Sequence, residues 1–140
     1  MNTPPLRIRW LTAYQWAAGG CDAATGLLLV VVPGWTFRLM GLRHPPEPAA
    51  FAGFIGVFVL GTGLAYLAAA RLPLTARSAP IWRFSWVWTA SVRLLVAIYL
   101  LAQIGTGRLE PGWLSVALTD GVFAAFQWAG LRRGWLEITA

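Results

Sequence analysis

The chain has 140 residues, of which 58% are hydrophobic and only 11% are charged, and its formal net charge is +6. A soluble globular domain has about 25% charged residues, so this composition argues against an ordinary water-exposed surface and indicates a protein solvated by lipid. The basic excess does not indicate nucleic-acid binding, because most arginines lie at the ends of apolar segments and form no basic stripe with base-reading side chains.

Four apolar segments have the length of a membrane-spanning helix, which is about 20 residues. The predicted spans are 10–32, 49–70, 81–104 and 111–131. The first apolar run continues to Pro33, which is longer than a signal-peptide core, so we expect a retained span. Short connections favour antiparallel neighbours. The sequence therefore predicts an all-α protein, an up-down four-helix membrane bundle that forms a single domain over residues 1–140.

The distribution of arginine predicts the orientation in the membrane, because cytoplasmic flanks carry the excess of positive charge. The side of the two termini carries seven arginines, namely Arg7, Arg9, Arg71, Arg77, Arg83, Arg132 and Arg133. The other side carries three, namely Arg38, Arg43 and Arg108. We therefore expect both termini in the cytoplasm and a multi-pass location in the bacterial cytoplasmic membrane.

Nine tryptophans are present, and those near the segment ends are predicted to anchor the helices at the membrane interfaces. The predicted anchors are Trp10, Trp35, Trp82, Trp86, Trp113 and Trp128. An alternative is that some tryptophans pack against a pigment, quinone or lipid. Small residues predict close packing of the first two spans, because they let helix backbones approach in lipid. The predicted packing positions are Gly19, Gly26, Gly56 and Gly63.

Three ionisable residues lie near the middle of the predicted spans. A charge at the bilayer centre costs about 2.5–3.5 kcal/mol on insertion scales. At a helical rise of about 1.5 Å per residue, Arg93 and Asp120 lie at nearly the same depth on adjacent antiparallel spans, and Asp22 lies slightly further from the terminal side. Helical spacing adds polar neighbours to this slab, namely Gln15, Tyr66, Thr89 and Gln127.

Two interpretations of this cluster remain open. In the first, Asp22, Arg93 and Asp120 form a buried ion triad that locks the helices, since the planar guanidinium can serve two carboxylates at once. In the second, the surplus carboxylate has a chemical role, with Asp22 as the candidate. The sequence shows no catalytic motif and no Cys/His cluster for a metal, so no catalytic residue is assigned and a non-enzymatic role is favoured.

Several short motifs carry a family resemblance. They are Asp22 with Gly26, Pro33-Gly34-Trp35, Gly63-Leu64-Ala65-Tyr66, Arg93, and Thr119-Asp120-Gly121. In these the chain resembles small four-helix bacterial membrane proteins of the DoxX-like kind and related uncharacterised families. The resemblance implies an association with membrane redox subunits, including a quinone-linked sulfur oxidation system, and hence a quinone-side role.

We consider three functions. The first is an accessory or structural subunit of a larger membrane complex, redox or photosynthetic, in contact with the bilayer and with other membrane subunits. The second is a binding protein or enzyme for a lipophilic molecule such as a quinone, isoprenoid or carotenoid, which uses the Asp/Arg site in the middle of the membrane. The third is a small proton-coupled transporter, which with four spans per chain needs to dimerise.

Overall fold

The computed structural model of the protein describes residues 5–44 and 47–138, and all regular secondary structure in these ranges is helical. The helices, in chain order, are α1 (Leu6–Val31), α2 (Pro33–Leu39), α3 (Ala49–Ala70), α4 (Ala79–Gly105) and α5 (Leu114–Arg132). A short 3-10 turn, Pro111–Trp113, leads directly into α5. The predicted all-α class is therefore confirmed, and the long helices lie within a few residues of the predicted segments.

Prolines set most of the helix starts. Proline has no amide hydrogen and a fixed φ, so it is tolerated in the first turn of a helix but not in the interior. Pro33 ends α1 and begins α2, Pro48 precedes α3, and Pro80 lies in the first turn of α4. The connection after the first predicted span contains the seven-residue helix α2, which buries Thr36 and Phe37.

The four long helices pack as two antiparallel pairs, α1 with α3 and α4 with α5, and α3 also contacts α4. Glycines form the α1–α3 contact, at all four predicted positions. A Cβ added to Gly26 would collide with the backbone nitrogen of Leu60. A Cβ on Gly63 would likewise collide with the backbone nitrogen of Ala23. The two backbones therefore touch with no side chain between them.

Each end of the molecule has its own apolar cluster. The cluster at the terminal end, where α1 and α4 begin and α3 and α5 end, contains the buried residues Leu11, Leu74, Trp82, Trp86 and Leu136. The cluster at the loop end, which includes α2, contains Leu29, Phe37, Leu42, Ala52, Leu100, Trp113 and Ala117. The antiparallel order places the seven arginines of the predicted cytoplasmic side at the terminal end and the other three at the loop end. Polar side chains occupy the interior between the two clusters.

Three helical segments, Ala49–Ala70, Ala79–Gly105 and Pro111–Arg132, are long and apolar enough to cross a membrane. Only 22–28% of the residues in their apolar windows are buried, so most of these residues face outward. Helix α1 has 26 residues but is not among the three, since Gln15 and Asp22 lie in its middle. Three of the four predicted spans therefore have the composition of a membrane helix.

The predicted tryptophan anchors divide into buried and accessible side chains. Buried inside the protein are Trp82 and Trp86, both 0% exposed, and Trp113, 8% exposed. Accessible at the surface, wholly or in part, are Trp10, Trp35 and Trp128. The prediction of surface anchors is thus wrong for the first three. All three lie near a helix end, as predicted. However, each is on a helix face that packs inside the protein, so Trp82 and Trp86 belong to the apolar cluster at the terminal end and Trp113 to the cluster at the loop end.

Candidate functional site

Arg93 holds the two carboxylates of the interior. Its Nη1 donates to Asp120 Oδ1 and its Nη2 donates to Asp22 Oδ2, each at 2.5 Å. The Arg93 side chain is 7% exposed, and those of Asp22 and Asp120 are 15% and 17% exposed. One guanidinium thus connects α4 to both α1 and α5, as the triad interpretation predicted.

The guanidinium is enclosed by aromatic rings as well as by carboxylates. Its carbon lies 4.8 Å from the centroid of the Phe123 ring and 5.8 Å from that of Tyr66. Rings in this position attract a cation through their negative faces. The Arg93 Nε atom is buried and has no hydrogen-bond partner in the described residues. The cation is therefore held by hydrogen bonds from its two Nη atoms and by cation–π contacts with the two rings.

A second polar layer, built on two glutamines, lies on the terminal side of the triad. Gln15 on α1 donates from Nε2 to the Tyr66 carbonyl at 3.2 Å and to Ser85 Oγ at 3.3 Å. Its Oε1 accepts the indole hydrogen of Trp86 at 2.8 Å. Because Gln15 is fully buried, these bonds satisfy polar groups that neither lipid nor an apolar core could satisfy.

Gln127 on α5 also forms hydrogen bonds in this layer, as Gln15 does on α1. Its Oε1 accepts the Tyr66 hydroxyl at 2.9 Å, and its Nε2 donates to Thr89 Oγ1 at 2.9 Å. The Thr89 hydroxyl in turn donates to the Ser85 carbonyl at 2.7 Å. Gln127, Tyr66 and Thr89 are all fully buried, and their direct hydrogen bonds join α3, α4 and α5.

The two layers have the same spacing on α1 and α5. Asp22 follows Gln15 by seven residues, and Asp120 precedes Gln127 by seven. Seven residues are close to two helical turns, so each Gln and its Asp lie on one helix face. Each glutamine accepts from an aromatic side chain and donates to a hydroxyl of α4. Antiparallel α1 and α5 thus present the same pair of polar groups to the interior.

Tyr14 closes the polar interior on the side of the gap between α1 and α5. Its ring contacts the rings of Tyr66 and Phe126, with centroids 6.4 and 4.8 Å away. Its hydroxyl is buried and has no hydrogen-bond partner in residues 5–44 and 47–138. Beyond the ring lies an open groove of about 590 Å³ that Tyr14 lines. Asp22, Arg93 and Asp120 do not line this groove.

A separate polar contact stabilises the loop end. The Glu110 carboxylate accepts the backbone amides of Arg43 and His44, both at 2.9 Å, and lies 3.4 Å from His44 Nδ1. The His44 amide and imidazole and the Arg43 amide hold the pKa of Glu110 below its usual range. This contact fastens the loop after α2 to the start of the α5 segment.

The structure brings all seven predicted members of the polar cluster into one continuous interior, in two layers. Sequence analysis missed Ser85, Tyr14 and Phe123. Ser85 lies four residues before Thr89, and Tyr14 lies beside Gln15, so helical periodicity was the available signal for both. Trp86 was predicted as an interface anchor, and in the structure it is a hydrogen-bond donor inside the second layer.

The chemistry available to this interior is limited by its own pairing. When all three charged groups are ionised, the triad carries a net charge of −1, and each carboxylate already accepts from Arg93. In the described residues no group of three or more His, Cys, Asp or Glu side chains is placed to hold a metal ion.

No protein-family model, curated protein or solved structure matches the chain. The resemblance to DoxX-like proteins remains a prediction from the short motifs.

Proposed function

We propose that this protein is a multi-pass integral protein of the bacterial cytoplasmic membrane that serves as a non-catalytic accessory subunit of a larger membrane complex. Both termini lie in the cytoplasm in this proposal, and the four long helices cross the bilayer as a bundle. The outward-facing apolar side chains of α3, α4 and α5 support insertion. Seven arginines at the terminal end against three at the loop end support the orientation.

The observation that carries the structural role is the mutual pairing of Asp22, Arg93 and Asp120. In lipid every polar group has to be satisfied within the protein, and here the charges satisfy one another across three helices. Such a triad fixes the register and rotation of α1, α4 and α5 relative to one another. Most of the surface left for interaction is then apolar, as for a subunit that meets other membrane helices.

The same pairing weighs against a ligand site centred on the triad. A quinone or carotenoid site of that kind needs a cavity that reaches Asp22, Arg93 or Asp120, and the groove beside Tyr14 does not reach them. A catalytic or proton-transfer role for Asp22 would also require it to leave a 2.5 Å ion pair during each cycle. An accessory role requires no such step.

The proposal is tested by purifying the tagged protein from its native membranes in a mild detergent. We expect it to migrate with other integral membrane proteins at a fixed stoichiometry on native gels, and redox or light-harvesting subunits are the expected partners. Migration only as a free monomer or homodimer would contradict the accessory role. Membrane insertion is checked separately by extraction at high pH, which removes peripheral but not integral proteins.

A variant separates a structural triad from a chemical one. Asp22→Asn keeps an oxygen that accepts from Arg93, so on our proposal both the assembled complex and its activity are retained. If the complex assembles normally but its activity disappears, Asp22 has a chemical role and the accessory proposal is wrong for this residue. Ala24→Asn, on the exposed face of the same helix, controls for adding an amide to α1.

A further inference from the structure

A groove opens between the terminal halves of α1 and α5. Its volume is about 590 Å³, within the range of roughly 300–1,000 Å³ typical of small-ligand sites. The gap exists because α1 packs on α3 and α5 packs on α4, and α1 and α5 do not pack backbone to backbone in the described part of the chain. The walls include Trp10, Ala13, Tyr14, Ala17, Phe126 and Trp135.

The groove is apolar along its walls and cationic at one end. Arg7 is the charged residue that lines it, and it lies in the first turn of α1 at the terminal end of the molecule. Its Nη2 donates to the Glu137 carbonyl at 3.0 Å, which is a neutral partner. Within residues 5–44 and 47–138 the Glu137 carboxylate pairs with Arg83 and no carboxylate pairs with Arg7. Trp10 and Trp135, the amphipathic rings of the groove wall, are near the same end.

We propose that this groove binds one anionic phospholipid, with an acyl chain against Ala13, Ala17 and Phe126 and the phosphate at Arg7. Basic pockets between membrane helices on the cytoplasmic side favour anionic headgroups, and the groove mouth lies at the arginine-rich end. The inference rests on the membrane location proposed above and is independent of the accessory role.

The charge at the mouth favours an anionic lipid over a quinone or carotenoid. A quinone head is uncharged, so it would leave the positive charge of Arg7 at the groove mouth without a counter-charge. A carotenoid has no group for Arg7. A phospholipid matches both the apolar walls and the single cation.

Native mass spectrometry of the detergent-purified protein tests the headgroup. The protein is titrated with dioleoylphosphatidylglycerol and, separately, with dioleoylphosphatidylcholine, which has the same chains and no net charge. We expect one tightly bound phosphatidylglycerol and weaker binding of phosphatidylcholine. Arg7→Gln, which keeps an N–H donor, should weaken phosphatidylglycerol binding about fivefold, from about 1 kcal/mol per basic residue near the membrane surface. Arg9→Gln removes the same charge from an exposed neighbour outside the groove and should change binding less than twofold.

A second pair of variants tests the groove itself. Ala17→Phe fills the space between α1 and α5 and should abolish the one-lipid adduct for both lipids. Leu27→Phe places the same ring at an exposed position of α1 that does not line the groove and should leave the adduct unchanged. Equal binding of the two lipids, equal effects of the two arginine variants, an Ala17→Phe protein that retains its lipid, or a co-purified quinone or carotenoid in place of the phospholipid would each overturn the proposal. All readouts use the isolated protein, so they stand whether or not a larger complex is found.

Discussion

Replacing Arg93 by glutamine should destabilise the protein far more than replacing either of its aspartate partners by asparagine. In the wild type, two carboxylates share one guanidinium, and the formal charge of the cluster is −1. Arg93→Gln leaves two carboxylates in the interior with no cation, a charge of −2. Asp120→Asn and Asp22→Asn each leave one balanced Arg–Asp pair, and the asparagine oxygen can still accept from the guanidinium.

The expected magnitudes follow from the number of bonds and charges lost. Removing one member of a buried ion pair costs about 3–5 kcal/mol, and Arg93 serves two partners, so we expect Arg93→Gln to reach that range. Each asparagine variant weakens one charge-assisted bond to a neutral one, which we expect to cost about 1–2 kcal/mol. The arginine variant should therefore be about 1–4 kcal/mol less stable than either asparagine variant.

The measurement is reversible unfolding of the purified protein in dodecyl maltoside with increasing dodecyl sulfate, followed by far-ultraviolet circular dichroism. Arg108→Gln, in the exposed turn after α4, is the matched control and should stay within about 0.5 kcal/mol of wild type. The triple variant Asp22→Leu/Arg93→Met/Asp120→Leu should recover most of the lost stability, since buried ion groups can often be replaced by packed apolar ones at little cost. An Arg93→Gln protein no less stable than Asp120→Asn would refute the reasoning from charge balance.

Three further predictions follow from other contacts. Gly26→Ala should lose about 1–3 kcal/mol of unfolding free energy in the same assay, because its Cβ meets backbone, whereas Gly20→Ala, which meets nothing, should be neutral or slightly stabilising. Gln127→Leu should lower the free energy of unfolding by about 1–3 kcal/mol, because the buried Tyr66 hydroxyl and the Thr89 hydroxyl lose their hydrogen-bond partner. Neutral substitutions usually scatter by about 0.5 kcal/mol, so a loss smaller than about 0.5 kcal/mol would contradict this prediction. The pKa of Glu110 is lowered on folding, so the stabilisation of the loop end is present above the ordinary glutamate pKa and is lost as the pH falls through the lower folded value. The protection of the His44 amide against hydrogen exchange, relative to its intrinsic rate at each pH, should fall there, and Glu110→Gln should remove this pH dependence.

The depth of the charged residues could be predicted from sequence because helical rise is constant. Counting residues from the helix ends placed Arg93 level with Asp120, and the structure joins them directly. Asp22 was expected slightly further along, yet it pairs equally well, because the long arginine side chain presents two Nη atoms in a planar fork. The sequence therefore predicted the members of the triad and the shared guanidinium, but it left open whether Asp22 is paired or serves a chemical role.

The direction in which a side chain points was harder to predict than its depth. Trp82 and Trp86 lie near the end of a predicted span, a position typical of interface anchors, but the rotation of α4 turns both inward. In lipid the outer surface and the core are both apolar, so hydrophobic periodicity gives little information on which face is buried. The periodicity of polar residues remains informative, because it marks the buried face of a helix. Ser85 and Thr89 mark the inner face of α4, and the same face includes both tryptophans.

Helix α1 shows how packing can compensate for a composition that is poor for a membrane helix. It is less apolar than the other three long helices, yet its interior polar groups, Gln15 and Asp22, lie on one stripe together with the buried residues Leu11, Ala18 and Leu29. The glutamine bonds to groups on α3 and α4 and the aspartate to Arg93, while glycines on an adjacent face bring α1 against α3. Once these contacts form, the polar stripe is internal and most of what α1 presents outward between its ends is apolar. On the proposed membrane location, insertion of α1 therefore depends on its contacts with the other helices, and the Arg93 variants remove one of these contacts.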